Sequence, residues 1–294
     1  MTSKGIVVFA RNNAQIDYVK QARFLAIRAK GFLGLPTTII TDCADYLYSR
    51  YPDWHKTFEK VISISWNTQE TDNNTVLSND DHVVRTFYDG ALAEKQLEWK
   101  NTLRAIAYDA SPYDETLVLD TDVVICNQNF LTCFEQKSDF LIYKHSIELL
   151  DVNRGDEFRK ISDSSVDFYW ASAFFFRKSQ ENKIFFDLIK HIQENWMHYK
   201  RVFQINSSYF RNDYAFSIAI HIMNGYQSGN FAKPMPGNLY FVTDKSILWE
   251  IDGDSLLVLL EKPKYTGEYT PLRINKANTH VMNKFSLSRC IDEV

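Results

Sequence analysis

The chain has 294 residues, 33 basic and 37 acidic side chains and a formal charge of −4, with 45% hydrophobic and 24% charged residues. This composition suits a folded protein with a substantial core and excludes a disordered one. No apolar run approaches the roughly 18–20 residues of a membrane-spanning helix, and no Lys/Arg block makes a general electrostatic case for nucleic acid.

In chain order, residues 5–10 (GIVVFA) form a short β-branched run that predicts a buried strand. Val19, Ala22, Ala26 and Ala29 then recur at helical spacing and predict a helix over 17–30, stopped by Gly31 and by Gly34-Leu35-Pro36. Residues 37–41 (TTIIT) and 60–64 (KVISI) read as the second and third strands, and the polar, Asn/Asp-rich stretch 66–81 as an exposed loop. A helix is expected over 91–110, with Leu92, Leu97, Leu103, Ile106 and Ala107 inward. The fourth strand, 116–119 (TLVL), runs into Asp120-Thr121-Asp122.

This rhythm predicts an α/β fold with a mostly parallel central sheet covered by helices on both faces. Ligands of such sheets sit at the carboxyl ends of the strands. Three polar strand ends fall there: Ala10-Arg11-Asn12, Thr41-Asp42 and Asp120-Thr121-Asp122.

The second half is more mixed. It reads as strands at 140–143 and 167–178, helices at 181–199 and 212–223, a connection from Gly225 to Gly237, and strands at 239–243 and 256–261. With no repeat and no flexible linker, one domain is expected over 1–294. Its first half is 1–126, and a mixed α+β half covers 127–294.

Two Asp-x-Asp triplets occur. Asp252-Gly253-Asp254 lies between two apolar runs and reads as an Asp-Gly hairpin turn. Asp120 and Asp122 instead follow a buried strand, where no turn or cap accounts for two carboxylates. If the chain turns there, both converge on one hard cation. Two chemistries use such a pair. In one, Mn²⁺ or Mg²⁺ is held against the diphosphate of a nucleotide-sugar. In the other, an aspartate phosphatase, Asp120 is the nucleophile and Asp122 the general acid. The phosphatase motif opens its fold, whereas here about a hundred residues of strand–helix alternation precede the pair, so position favours sugar transfer.

In these features the chain resembles the GT-A fold glycosyltransferases, most of all the retaining, glycogenin-like family. The likeness is spread in short pieces over most of the chain. The opening GIVVFARNNAQIDYVKQARFLAIRAKGFLGLPTTIITD is similar to the family's first strand, helix and second strand. The resemblance implies nucleoside contacts at Ala10, Arg11, Asn12, Tyr18 and Asp42, and nucleotide-sugar contacts at Lys100, Arg104 and Thr121. FYWASAFFFRK resembles a strand with an aromatic-Asn-Ser-Gly core, here Trp170-Ala171-Ser172-Ala173, without the amide and the glycine. RNDYAFSIAIH resembles in part a helix start that sets a carboxylate by the transferring sugar, which implies catalytic roles for Asn212 and Asp213. THVMNK implies that His280 completes the metal site and Lys284 meets the diphosphate, without the family's usual glycine between them.

Physical readings stand beside these. A lone histidine is more often a surface or hydrogen-bonded residue than a ligand. Asp213 near a helix start is favoured by the helix dipole as much as by a catalytic place. Arg11, Lys100, Arg104 and Lys284 serve equally as solvated charges.

The expected cofactors are Mn²⁺ or Mg²⁺ and a nucleotide-sugar donor, a UDP-sugar foremost. The acceptor is open among a glycan, a lipid-linked sugar, a protein side chain and a modified, hydroxymethylated nucleic acid base. A sugar nucleotidyltransferase needs a Gly-rich phosphate loop that ARNNAQ lacks, and a non-catalytic sugar- or nucleic-acid-binding module is the remaining alternative. Four cysteines without CxxC spacing and no signal-peptide core suggest reduced thiols and a cytoplasmic place. Aromatic residues make up 15% of the chain. The resemblance makes 1–126 the donor half and 127–294 the acceptor half, and Tyr169, Trp170, Trp196, Tyr199, Tyr209, Phe210 and Tyr214 crowd the latter, where they serve either core packing or stacking on an acceptor.

Overall fold

A computed structural model describes residues 2–64, 83–100, 102–150, 159–162, 166–207, 209–262, 264 and 266–292. The loop expected at 66–81 lies outside the described residues. Strand β1 (Lys4–Ala10) is buried from Gly5 onward, as its apolar sequence requires. Helix α1 (Tyr18–Leu33) is capped by Asp17, whose carboxylate accepts from Lys20 N–H at 2.9 Å. It runs through Gly31 and ends at Gly34, which takes the left-handed conformation at φ 65°. One glycine inside a helix costs about 1 kcal/mol, too little to end it. Strand β2 (Thr37–Thr41), a short helix α2 (Ala44–Arg50) that the sequence did not signal, and β3 (Lys60–Ser63) follow.

The helix expected over 91–110 is not formed. In its place β4 (Val84–Tyr88) and β5 (Glu94–Glu98) make an antiparallel hairpin around Gly90, at φ 81°, and Leu92 is 82% exposed. Only a 3₁₀ turn, Leu103–Ile106, and a single helical turn α3 (Ala107–Ala110) are helical. The apolar residues that match a helical period are divided between a hairpin tip, a strand and a turn. Leu97, for one, packs with Ile16 and Phe87.

Strand β6 (Glu115–Leu119) leads to a two-residue strand β7 (Val123–Val124), then β8 (Phe140–Tyr143) and β9 (Ser146–Glu148). Strand β10 (Trp170–Arg177) is shorter than the expected 167–178. The single helix expected over 181–199 divides into α4 (Gln180–Glu194) and α5 (Trp196–Val202). At the break, Asn195 turns its side-chain amide back onto the His191 carbonyl at 2.9 Å. Helix α6 (Asn212–Met223) and β11 (Lys233–Pro234) precede β12 (Leu239–Val242), β13 (Ile247–Asp252), β14 (Ser255–Glu261), β15 (Tyr269–Asn275), β16 (Thr279–Val281) and α7 (Lys284–Cys290). Of these last elements, β11, which falls in the expected connection, and β15, β16 and α7 were not expected from the sequence.

The central sheet has the order β11-β8-β10-β6-β1-β2-β3, and only β10 runs antiparallel to its neighbours. The fold is therefore α/β with a mostly parallel central sheet. Val8 and Ala10 of β1 pack with Val19, Ala22 and Ala26 of α1. Ile6, Val7 and Phe9 join the larger core, in which Phe174, Phe175 and Phe176 pack with Phe185, Phe186 and Phe216 from α4 and α6. Much of the aromatic excess is thus core. A smaller sheet, β7-β16-β12-β9, stands beside it, and β13, β14 and β15 form an antiparallel sheet. Gly253, at φ 54°, turns the β13–β14 hairpin as the Asp-Gly pair predicts. Among the described residues no helix is long and apolar enough to cross a membrane.

Candidate active site

Strand β6 ends at Leu119, and the chain then turns. Asp120 N–H donates to the Ser172 carbonyl of β10 at 2.9 Å, and Val123 N–H closes back onto the Asp120 carbonyl at 3.1 Å. The turn lets two carboxylates converge that a continuing strand would separate. Strand β7 then pairs antiparallel with β16, setting His280 opposite Val123, while Val281 N–H donates to the Asp122 carbonyl at 2.9 Å. One ligand atom from each of Asp120, Asp122 and His280 lies within 4.8 Å of the others.

The charges here are dense. Asp122 is 2% exposed, with His280 Nε2 3.1 Å and Lys284 Nζ 2.7 Å from its two oxygens. Burial alone raises a carboxyl's pKa, but these two neighbours outweigh it and hold Asp122 well below the usual carboxylate range. Asp120 is paired with Arg104, which is 3% exposed. Burial pulls the Arg104 guanidinium down to about 10 against the opposing charges of Asp213 and Asp122. Burial, and then the charge of Asp122, push the Tyr18 phenol up. Two carboxylates and an imidazole form a mostly hard donor set that suits Mn²⁺ and accepts Mg²⁺. His280 Nδ1 is buried with no hydrogen-bond partner among the described residues, so one nitrogen alone orients the ring, toward Asp122. The residues fit such an ion.

Arg11, Tyr18, Lys100, Arg104, Asp120, Thr121, Asp122, Asn212, Asp213, His280 and Lys284 line one cleft, at the carboxyl ends of β1 and β6. Ala10, Asn12 and Asp42 do not. Ala10 is buried against α1, Asn12 Oδ1 accepts from Val19 N–H at 3.0 Å to set the start of that helix, and Asp42 reaches the cleft through Arg11 Nε at 2.9 Å. Lys100 follows β5 and Arg104 lies on the 3₁₀ turn, so neither stands on the helix expected there. The Thr121 hydroxyl donates to Gln21 Oε1 at 3.4 Å. The amide of that fully buried glutamine donates to the Lys284 carbonyl at 3.0 Å and ties the triplet to the start of α7.

Sequence reasoning missed several lining residues. Arg211 grips Asp213 Oδ2 through Nη2 at 2.7 Å and Nε at 3.2 Å, while Asp213 Oδ1 accepts from Ala171 N–H at 3.0 Å. Its signal was its place beside Asn212-Asp213. Arg85 and Phe87 lie on β4, before the expected helix begins, and Trp99 follows β5 inside the stretch that reads as a helix, while Asp244, whose pKa burial raises, had no signal.

Six cations (Arg11, Arg85, Lys100, Arg104, Arg211, Lys284) face four carboxylates (Asp120, Asp122, Asp213, Asp244) among the described lining residues, a balance that favours an anionic ligand. The cleft measures about 140 Å³, below the roughly 300–1,000 Å³ of most small-molecule sites, with several of its cations folded onto its carboxylates.

No protein-family model and no curated protein matches the sequence. Among solved structures, the chain is similar to the glycosyltransferase GlyE of Streptococcus pneumoniae TIGR4, with 11% identity and a TM-score of 0.41, over 79% of this chain and 45% of that one. It is also similar to the apo form of GlyE, with 12% identity and a TM-score of 0.39, over 75% and 43% of the two chains. The chain thus spans less than half the length of these matches, and a likeness at this level assigns no residue a role.

Proposed function

We propose that this chain is a metal-dependent glycosyltransferase of the GT-A type that moves a sugar from a nucleotide-diphosphate donor, a UDP-sugar, to an acceptor hydroxyl with retention. One observation carries the reading: an Asp120–Asp122–His280 cluster, with Asp122 and His280 buried, lies in a cation-rich cleft at the carboxyl edge of a mostly parallel sheet. Those three residues would hold Mn²⁺ or Mg²⁺, and a bound divalent ion neutralises charge on a departing diphosphate.

Lys284 and Arg104 supply further positive charge to the diphosphate, from positions that burial and partner carboxylates keep fixed. Arg11 and Tyr18 line the wall beside them and would meet the nucleoside. Asp213, held at both oxygens by Arg211 and the Ala171 amide, presents a fixed carboxylate to the sugar. That suits electrostatic stabilisation of positive charge at the anomeric carbon. In the transfer, the acceptor oxygen bonds to that carbon on the leaving-group face as the carbon–oxygen bond to the diphosphate breaks. The acceptor's proton passes to the departing phosphate oxygen, and the nucleoside diphosphate leaves.

Turnover of a UDP-sugar panel with Mn²⁺, compared with EDTA and with Asp122→Asn, tests this. Mn²⁺-dependent release of UDP that falls about 10²-fold or more in the variant supports it. Undiminished release in the variant overturns the metal assignment. Hydrolysis of a simple phosphate ester with phosphate trapped on Asp120 supports the phosphatase chemistry instead.

A further inference from the structure

Resting on that reading, we propose that the acceptor is a neutral oligosaccharide, seated in a second pocket that adjoins the donor cleft. This pocket measures about 420 Å³, and Arg211 lines both cavities. The two also share an aromatic partition. Trp99 of the cleft meets Tyr209 of the second pocket edge-on, with ring centroids 5.5 Å apart. An occupant of the second pocket therefore lies one guanidinium away from Asp213 and the proposed transfer point.

The chemistry of the walls selects the occupant. Gln204, Asn206, Ser162 and Ser207 offer amides and hydroxyls, which donate to and accept from sugar hydroxyls. Tyr209 adds a ring suited to sugar C–H surfaces, while Tyr214, stacked on Trp196 at 6.2 Å and lying under the Arg211 guanidinium at 5.4 Å, fixes the pocket wall. No carboxylate is among the described residues lining the pocket, and the one charged group among them, Arg211, already grips Asp213. A nucleic acid acceptor needs cations along its phosphates, and an acidic glycan needs at least one committed to it. The positive charge is concentrated in the donor cleft instead.

The backbone adds an independent observation. Helix α5 ends with Ile205 N–H donating to the Lys200 carbonyl at 2.9 Å and Gln204 N–H to the Arg201 carbonyl at 3.3 Å. That closure places Gln204 at φ 53°, the left-handed position that glycine normally takes. Strain of this kind concentrates at ligand sites, and here it holds a glutamine on the pocket wall.

The test is binding of the full chain, with UDP and Mn²⁺ present, to an array of neutral oligosaccharides, acidic oligosaccharides and single-stranded DNA. Wild type is compared with Asn206→Ala and Gln204→Gly. Retention on neutral oligosaccharides is expected, weakened about tenfold or more in both variants, the loss of about one hydrogen bond to the sugar. Gln204→Gly should also raise Tm by about 2 °C by relieving the backbone, which separates lost binding from lost folding. Retention on DNA or acidic glycans alone, neutral-glycan binding equal in all three proteins, or no retention at all overturns the proposal. A thermal shift by UDP with Mn²⁺ is read on the same samples. A shift without glycan retention overturns this proposal and leaves the donor reading standing. Retention without a shift overturns the donor reading and leaves a carbohydrate-binding pocket.

Discussion

Asp120-Thr121-Asp122 and Asp252-Gly253-Asp254 share a sequence pattern and little else. The first follows a buried strand, and its carboxylates meet Arg104, Lys284 and His280. The second closes a two-stranded turn, where Gly253 takes φ 54° and its carbonyl accepts from Arg28 Nη2 at 2.7 Å. In the first the side chains matter, whereas in the second the backbone does. The triplet itself carries almost no information. What distinguishes the two is whether folding surrounds the carboxylates with cations at the edge of a parallel sheet.

The largest expected effect lies in the first triplet. Asp122→Asn should lower Mn²⁺-dependent UDP release by about 10²-fold or more, while Asp254→Asn should leave both release and metal dependence at wild-type values. Equal losses in the two variants would erase the distinction. Next, Arg104→Leu strands Asp120 beside an already buried Asp122. It should reduce stability by about 3 kcal/mol in metal-free urea titrations, and added Mn²⁺ should recover part of the loss.

Arg28 joins the two regions. Besides Gly253, its Nε donates to the Ile125 carbonyl at 2.6 Å. Arg28→Met leaves both carbonyls without that donor and should cost about 2 kcal/mol, read from the urea midpoint. The smallest effect belongs to the turn. Gly253→Ala, with nothing near its Cβ but with a left-handed φ, should cost about 1 kcal/mol and leave the Mn²⁺-induced thermal shift intact.

The same contrast explains what could be read in advance. Strands β1, β2, β6 and β10 carry apolar runs and helices α1 and α6 a helical period, capped in α1 by Asp17, and these scaffold the edge where Asp120 and Asp122 lie. Strands β7 and β16 are two and three residues long. Partner strands define them more than their own residues do, so only the resemblance pointed to His280. The 84–98 hairpin, of which the part from 91 onward reads as a helix, was missed for a related reason. Leu97 fits a helical and an alternating pattern equally well, and packing against Ile16 and Phe87 decides between them. Arg85 and Trp99, carried by that hairpin or just beyond it, were missed with it. Arg211 stood in plain view beside Asp213, but one basic residue among 33 cannot be chosen without its partner's coordinates.

The pairing of β16 with β7 also sets an order of events. Lys284 and Asp122 are 162 positions apart, and His280 arrives on the same late segment. The central sheet can pair while Asp122 still lacks both partners, because β1, β2, β3 and β6 all lie within the first 119 residues. Contacts of such long sequence separation form late and slowly. A nascent chain that has not yet emitted β16 therefore has the sheet edge and the aspartates but not the third member of the proposed ligand set. If Asp120, Asp122 and His280 hold an ion as proposed, its capture would follow folding of the sheet and would not nucleate it, so ion availability would act on the finished protein and not on the yield of its synthesis.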